Sequence, residues 1–411
     1  QSKTSIQIAT AMRLLELDAC ILQSTILKQP IRMLDKNLGY YTCDGVSFVS
    51  KINALLHGRA TGKPVDWVFH DDVFAKYSWH IEPETNLDRL YDIRAKQLRE
   101  KYDYVVLSYS GGSDTHNIVE SFIRQGLHID EIVTNHMTSA TQATTVLDPR
   151  VKDSWNFAAE HQLQAVPRLQ SIRDRLPNTR ITELDVSDIV INSMRTKFND
   201  VDWVMGRNDH LSIGQLFRYN YFHFSEIKKR FDRDLNTVII VGIDKPKCYI
   251  DTDGNFWLTF LDGIANITTI NDFNIDYTNT HTEMFYWSPD SLDMLCKQAH
   301  LVKRWLEANP QYQPGWQGLN IARSRMLQER ILRTLLYSTW DNSWFQANKS
   351  TSFWQTEFDT WFHNRADLSQ EQQLWHQGVG YLEKILGDYV MRNSRGQASG
   401  LKPFMKPYLI G

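Results

Sequence analysis

With 411 residues the chain is too long for one small domain and matches two or three of about 150 residues each. Hydrophobic residues make up 42% and charged residues 23%, a balance that supports a sizeable core and excludes a largely disordered or collagen-like chain. Forty-five basic against 48 acidic side chains give a formal charge of −3. No basic excess therefore marks nucleic acid as a non-specific partner, although a local patch stays open. The cysteines, Cys20, Cys43, Cys248 and Cys296, are scattered and show neither zinc-ligand nor redox spacing. They point to a reducing compartment, and a chain of this size folds without a disulfide framework. No apolar run reaches the ~18–20 residues of a membrane span, and the N-terminus lacks a basic region followed by an apolar one. A soluble, cytoplasmic protein with no membrane partner is expected.

No internal repeat or low-complexity tract is visible, and the chain divides by texture into three parts. Residues 1–101 are predicted as an N-terminal α+β segment. Met12, Leu15, Leu17, Cys20, Ile21 and Ile26 suggest one amphipathic helix, and Leu87, Leu90, Tyr91, Ile93, Leu98 and Tyr102 recur at near-helical spacing in a second.

Residues 102–274 alternate strands with helices. Tyr104–Tyr109 is a short β-rich run, and Ile118, Val119, Phe122 and Ile123 then form a helix stripe that Gly126 stops. A strand at Ile129–Asn135, a helix at Trp155–Ser171, a strand at Ile181–Val186 and a helix from about Ser212 to Phe231 follow. Thr237–Ile243 is continuous and β-branched, as a strand buried on both faces should be. Lys247–Leu261 reads as a hairpin around Thr252-Asp253-Gly254. The alternation predicts an α/β three-layer sandwich with a parallel sheet.

Residues 275–411 are expected to form a mainly helical domain that selects a substrate or partner. Ser288-Pro289-Asp290 is a helix start, and Leu292, Leu295, Cys296, Ala299, Val302 and Leu306 sustain helical spacing. Eight of the 13 tryptophans lie here, either filling a core or forming a stacking surface.

The sharpest signal is Ser110-Gly111-Gly112-Ser113-Asp114-Thr115, directly after a buried-looking strand and before a helix. A pyrophosphate needs several converging backbone N–H groups, and glycines let the main chain approach with φ values other residues avoid. The helix adds its positive N-terminal end, Ser110, Ser113 and Thr115 add hydroxyls, and Asp114 suits magnesium. Neither the Walker nor the Rossmann spacing is present.

The motif resembles the Ser-Gly-Gly-x-Asp-Ser/Thr signature of the PP-loop ATP pyrophosphatases, which share a HUP-like α/β fold. That family includes the GMP, NAD, asparagine and argininosuccinate synthetases, tRNA lysidine and thiolation enzymes, and phosphoadenylylsulfate reductases. The resemblance covers the motif and the strand–helix order around it, under half of the chain. It implies that Ser110 to Thr115 bind the β,γ-phosphates of ATP, and that Thr134-Asn135-His136-Met137 lies near the adenine or ribose. It also implies a site at Gly242-Ile243-Asp244-Lys245-Pro246-Lys247, where Lys245 or Lys247 neutralises the α-phosphate and Asp244 joins Asp114 at magnesium. From the residues alone, a solvated strand-end turn is an equal reading of those three charges.

Departures from the family narrow the chemistry. Cys296 sits on a helix stripe without a Cys-Gly-x-His neighbourhood, which disfavours a phosphosulfate reductase. The zinc-binding cysteines of the 7-deazaguanine nitrile synthases are absent, as is any glutaminase signature. His116 either faces the phosphates or is an exposed cap. His210, beside Arg207, Asn208 and Asp209, is either a substrate wall or an ordinary loop. Lys297 and His300 share a helix face close to Phe285-Tyr286-Trp287, so they are expected either as acceptor-site catalytic groups or as a solvated face. No spacing indicates a tightly bound transition metal.

The resemblance therefore implies ATP- and magnesium-dependent adenylation of an acceptor, with pyrophosphate release and capture by a nitrogen or sulfur nucleophile. Two alternatives stay open. One is a non-catalytic nucleotide-binding or assembly protein. The other is a nucleic-acid base-modifying enzyme with a groove of Lys228, Lys229, Arg230, Arg233, Lys303 and Arg304.

Overall fold

The computed structural model describes residues 39–48, 50–136, 139, 160–185, 187, 235–265, 279–318, 325–346, 362–392, 396 and 398–411. The expected helices at residues 12–26 and 212–231 lie outside them.

The N-terminal part holds three antiparallel strands, β1 (Tyr40–Cys43), β2 (Val46–Phe48) and β3 (Val65–Val68), in the order β2-β1-β3. Asp44 and Gly45 join the first two, both at positive φ (51° and 76°), the combination a tight two-residue hairpin requires. Helix α1 (Lys51–Thr61) is capped by the Ser50 hydroxyl, and α2 (Leu87–Lys101) by the Asn86 side chain. Lys51 forms a fully buried pair with Asp262 at 2.7 Å. Its ammonium also donates to the Lys402 carbonyl, and the Tyr41 hydroxyl donates to Asp262, so the charges are compensated.

The centre is a five-stranded sheet flanked by helices, an α/β sandwich. Its strands are β4 (Tyr104–Ser108), β5 (Glu131–His136), β6 (Arg180–Asp185), β7 (Thr237–Val241) and β10 (Thr280–Met284), in the order β10-β7-β4-β5-β6. Every neighbouring pair is parallel. All five residues of β7 are buried, as its unbroken β-branched run requires. Helix α3 (Ser113–Arg124) follows β4 and packs on α2; Gly126, at φ 62°, ends it as expected.

The expected boundary at residue 274 cuts this sheet, because its edge strand β10 comes from the C-terminal third. Thr280-His281-Thr282-Glu283-Met284 is too polar to read as a buried strand. Glu283 is nevertheless buried, because Arg94 (3.0 Å), Lys101 (2.6 Å) and the Tyr102 hydroxyl (2.7 Å) converge on its carboxylate. Burial raises its pKa, but those partners outweigh it and hold the group below its usual range.

The predicted hairpin forms from β8 (Lys247–Ile250) and β9 (Phe256–Leu261), and β11 (Met405–Leu409) pairs antiparallel with β9 in a separate sheet. Helix α5 (Leu292–Ala308) follows a short 3₁₀ turn whose first residues the Ser288 hydroxyl caps. One hydrophobic core joins all three parts of the sequence, from Trp67 and Tyr91 through Leu107 and Val238 to Trp287, Leu295 and Trp340. Trp287, Trp316, Trp340 and Trp375 are buried, while Trp354 and Trp361 lie outside the described residues. Cys43, Cys248 and Cys296 are free thiols. No described helix is long and apolar enough to cross a membrane.

Candidate functional site

The chain moves outward from β4 through β5 to β6, then returns to place β7 on the other side of β4. Connections leaving β4 and β7 therefore diverge at the carboxyl ends of these two strands. In open parallel sheets this switch point is where ligands bind. Both expected segments lie there: Ser110–Thr115 follows β4, and Gly242–Lys247 follows β7.

The two glycines of the turn have different reasons. Gly111 takes φ 69°, and a Cβ there would lie 2.7 Å from Ala165 Cα. No other residue fits. Gly112 is extended at φ −73° and ψ 165°, and its Cβ would meet nothing closer than Ser110 Oγ at 3.3 Å. An unusual φ therefore accounts for Gly111 and not for Gly112. The Gly112 N–H donates to Ser110 Oγ at 3.3 Å, and the Thr115 hydroxyl donates to the Gly112 carbonyl at 3.2 Å. Ser113 is buried. Among the described residues no acceptor meets the N–H groups of Gly111, Ser113, Asp114 and Thr115, so the positive end of α3 lies at this switch point. A Cβ on Gly242 would come within 2.8 Å of Thr115 Cγ2, so this glycine lets the end of β7 close onto the start of α3.

Lys245 is the hub on the β7 side. Its ammonium lies 2.7 Å from Asp114 Oδ2, 3.1 Å from Glu329 Oε2 and 4.0 Å from Asp244 Oδ1. Burial alone lowers its pKa, but Asp114, Glu329 and Asp244 outweigh it and hold the ammonium above the ordinary lysine range. Lys247 pairs with Asp244 at 2.8 Å. Burial raises the Asp244 pKa, and the two lysines more than reverse this. The Trp287 indole fixes the backbone by donating to the Asp244 carbonyl at 3.0 Å. These charges are thus held and partly buried, which removes the reading of a solvated strand-end turn.

Helix α6 (Arg325–Leu336) and the residues after it cover the turn. Glu329 comes from this helix, with Arg333 at 3.6 Å beside it. Tyr337 donates its hydroxyl to Asp114 Oδ1, and Tyr286 donates to the Asp114 carbonyl at 2.9 Å while accepting from Asn117. Burial, then the Asp114 carboxylate, keeps the Tyr337 hydroxyl protonated well above its usual range. Glu329 and Tyr337 were missed from the sequence, because nothing local ties residues so distant in the chain to the motif; Tyr286 was singled out only within the aromatic run beside Lys297 and His300.

Asn135 and His136 end β5, with His136 registered against Asp185 of β6. The His136 ring lies 4.1 Å from that of His161, and Nδ1 is 3.8 Å from Asp185. Burial lowers the pKa of both histidines. Met137 lies outside the described residues.

His116 does not form an exposed cap. It is buried between the Tyr109 hydroxyl at 3.2 Å and Glu120 at 3.5 Å, and its ring edge meets Trp344. Burial lowers its pKa to about 4 against the pull of Glu120. Lys297 and His300 are not brought to the turn. Lys297 pairs with Glu82 at 2.8 Å and donates to the Pro83 carbonyl, and His300 Nε2 lies 3.0 Å from the Trp79 carbonyl. Their contacts fasten α5 to residues 79–83. Of the suggested basic groove, Lys303 pairs with Glu307 and Arg304 with Glu82; His210, Lys228, Lys229, Arg230 and Arg233 lie outside the described residues. The Cys296 thiol donates to the Trp79 carbonyl, and burial pushes its pKa up to about 12, unsuited to a nucleophile.

No protein-family model matches the chain, and no curated protein matches it.

Proposed function

We propose that the chain binds ATP and magnesium at the Ser110–Thr115 turn and adenylates an acceptor. An acceptor oxygen attacks the α-phosphorus, the bond to the α,β-bridging oxygen breaks, and pyrophosphate leaves. A nitrogen or sulfur nucleophile then displaces AMP from the activated carbon. The observation that carries this reading is the convergence, at the β4/β7 switch point, of the first amides of α3, which meet no acceptor among the described residues, with the buried ammonium of Lys245. The amides hold the β,γ-phosphates, and Lys245 moves from its carboxylates to the charge that builds on the α-phosphate. Catalysis here is positioning and charge neutralisation.

Among the described residues no group of three or more His, Cys, Asp or Glu side chains is arranged to hold a metal alone. That suits magnesium, which enters with ATP, keeps waters and phosphate oxygens, and needs only one or two carboxylates such as Asp114 and Asp244. When bound it would supply further neutralisation of the phosphates.

The test is the identity of the products. The chain is incubated with ATP, magnesium and a small-molecule cell extract, and nucleotides and phosphates are quantified by mass spectrometry. AMP and pyrophosphate in equal amounts, with an extract component changed in mass, support adenylation. ADP and orthophosphate would contradict it.

A further inference from the structure

We infer that Gln164 and Arg168 are positioning residues of the Gly turn: they fasten its carbonyls on one side so that its amides face a phosphate on the other. This rests on the nucleotide reading above. A peptide unit is planar and trans, so its C=O and N–H point in opposite directions. Gln164 Nε2 donates to the Ser110 carbonyl at 2.8 Å, which turns the Gly111 N–H away from the 160–168 segment. The Arg168 guanidinium donates to the Gly111 carbonyl, which does the same for the Gly112 N–H. Two successive amides aimed one way, beside a left-handed Gly111, make an anion-binding concavity. Among the described residues the Gly112 N–H meets only Ser110 Oγ, at 3.3 Å, a long bond that a phosphate oxygen can replace.

The fastening side is itself rigid. Gln164 and Arg168 straddle the junction of a π-helical turn (Glu160–Ala165) with helix α4 (Val166–Arg173), four residues apart and so on one face. Such π turns recur at functional sites. The Ala165 backbone lies against Gly111 with no room for a side chain between them. Arg168 is buried, 4.6 Å from the Trp340 ring and 5.2 Å from the Trp344 ring, with a second bond to the Phe345 carbonyl. Among the described residues no carboxylate pairs with it. Its donors serve backbone carbonyls, which is what a residue that shapes a turn does.

The deciding variant is Gln164→Met, neutral and similar in volume, because Arg168→Met strips a buried side chain from between two indoles and can unfold. Calorimetric titrations of the full chain with ATP and magnesium, and separately with adenosine, are run beside ligand-free melting. Gln164→Met is expected to lose about tenfold in ATP affinity, the effect of one hydrogen bond, while it stays folded with a modest drop in melting and adenosine affinity holds. Arg168→Met, where folded, loses at least as much. Gln164→Met binding ATP as tightly as wild type overturns the positioning role, and so does a parallel loss of adenosine affinity, which marks general damage. Wild-type protein that does not bind ATP overturns the nucleotide reading and this inference with it.

Discussion

Asp114 at the start of α3 and Lys245 beyond the end of β7 lie 2.7 Å apart although 131 positions separate them. The carboxylate does two things at once, because its other oxygen accepts the Tyr337 hydroxyl. It therefore cannot be treated as a free loop carboxylate whose removal leaves the fold untouched. Asp114→Asn keeps an acceptor for Tyr337 and removes the charge. Turnover of ATP is expected to fall by about 10²–10³, the effect of losing one preorganised charge contact. Single-turnover kinetics beside melting curves measure it, and wild-type turnover would take Asp114 out of the chemistry.

Lys245→Met should be the more damaging change. It removes the ammonium that lies between the carboxylates of Asp114, Asp244 and Glu329. Breaking a fully buried pair costs about 3–5 kcal/mol, and these partly exposed carboxylates should cost somewhat less. Urea unfolding at neutral pH should show that loss, and adding Glu329→Gln to the variant should recover part of it.

Gly111 and Gly112 make a paired prediction. Gly111→Ala forces a side chain into φ 69° and onto the Ala165 backbone, so a loss of about 2 kcal/mol or more is expected. Gly112→Ala meets neither obstacle, its Cβ touching only the side chains of Ser110, Gln164 and Gln346, and should melt close to wild type while crowding Ser110 Oγ and weakening ATP binding. Equal melting of the two variants would contradict the assignment.

His116 makes stability depend on pH. Its folded pKa of about 4 lies below the ordinary 6.5, so the unfolded chain binds the proton more readily. The stability from neutral His116 is fully present above pH 6.5 and is lost as pH falls towards 4, about 3 kcal/mol in all. The difference in urea midpoint between wild type and His116→Gln should shrink over that window. A constant difference would place the titration elsewhere.

How much of this was legible depends on whether the deciding contacts were local. The runs at Tyr104–Ser108 and Thr237–Val241 and the turn between β4 and α3 declare themselves through β-branched residues and glycines that must sit together in sequence. Lys245 could be expected only through the family resemblance, since a strand-end lysine by itself reads equally well as a solvated turn. Strand β10 could not, since Glu283 is tolerated in the sheet only through Arg94 and Lys101, far back in the chain. Glu329, Tyr337, Gln164 and Arg168 reach the turn through tertiary packing, and their own neighbourhoods look like ordinary helix. Lys297 and His300 share a helix face as their spacing predicts, but that face meets residues 79–83.

The central claim is that pyrophosphate leaves ATP at the Ser110–Thr115 turn. Isotope exchange between labelled pyrophosphate and ATP, run with magnesium and the small-molecule extract, tests it most directly. Label should enter ATP with the wild-type chain and fall by about 10²–10³ with Asp114→Asn. Label that never enters ATP, while calorimetry shows ATP bound, would make the chain a nucleotide-binding protein without this chemistry.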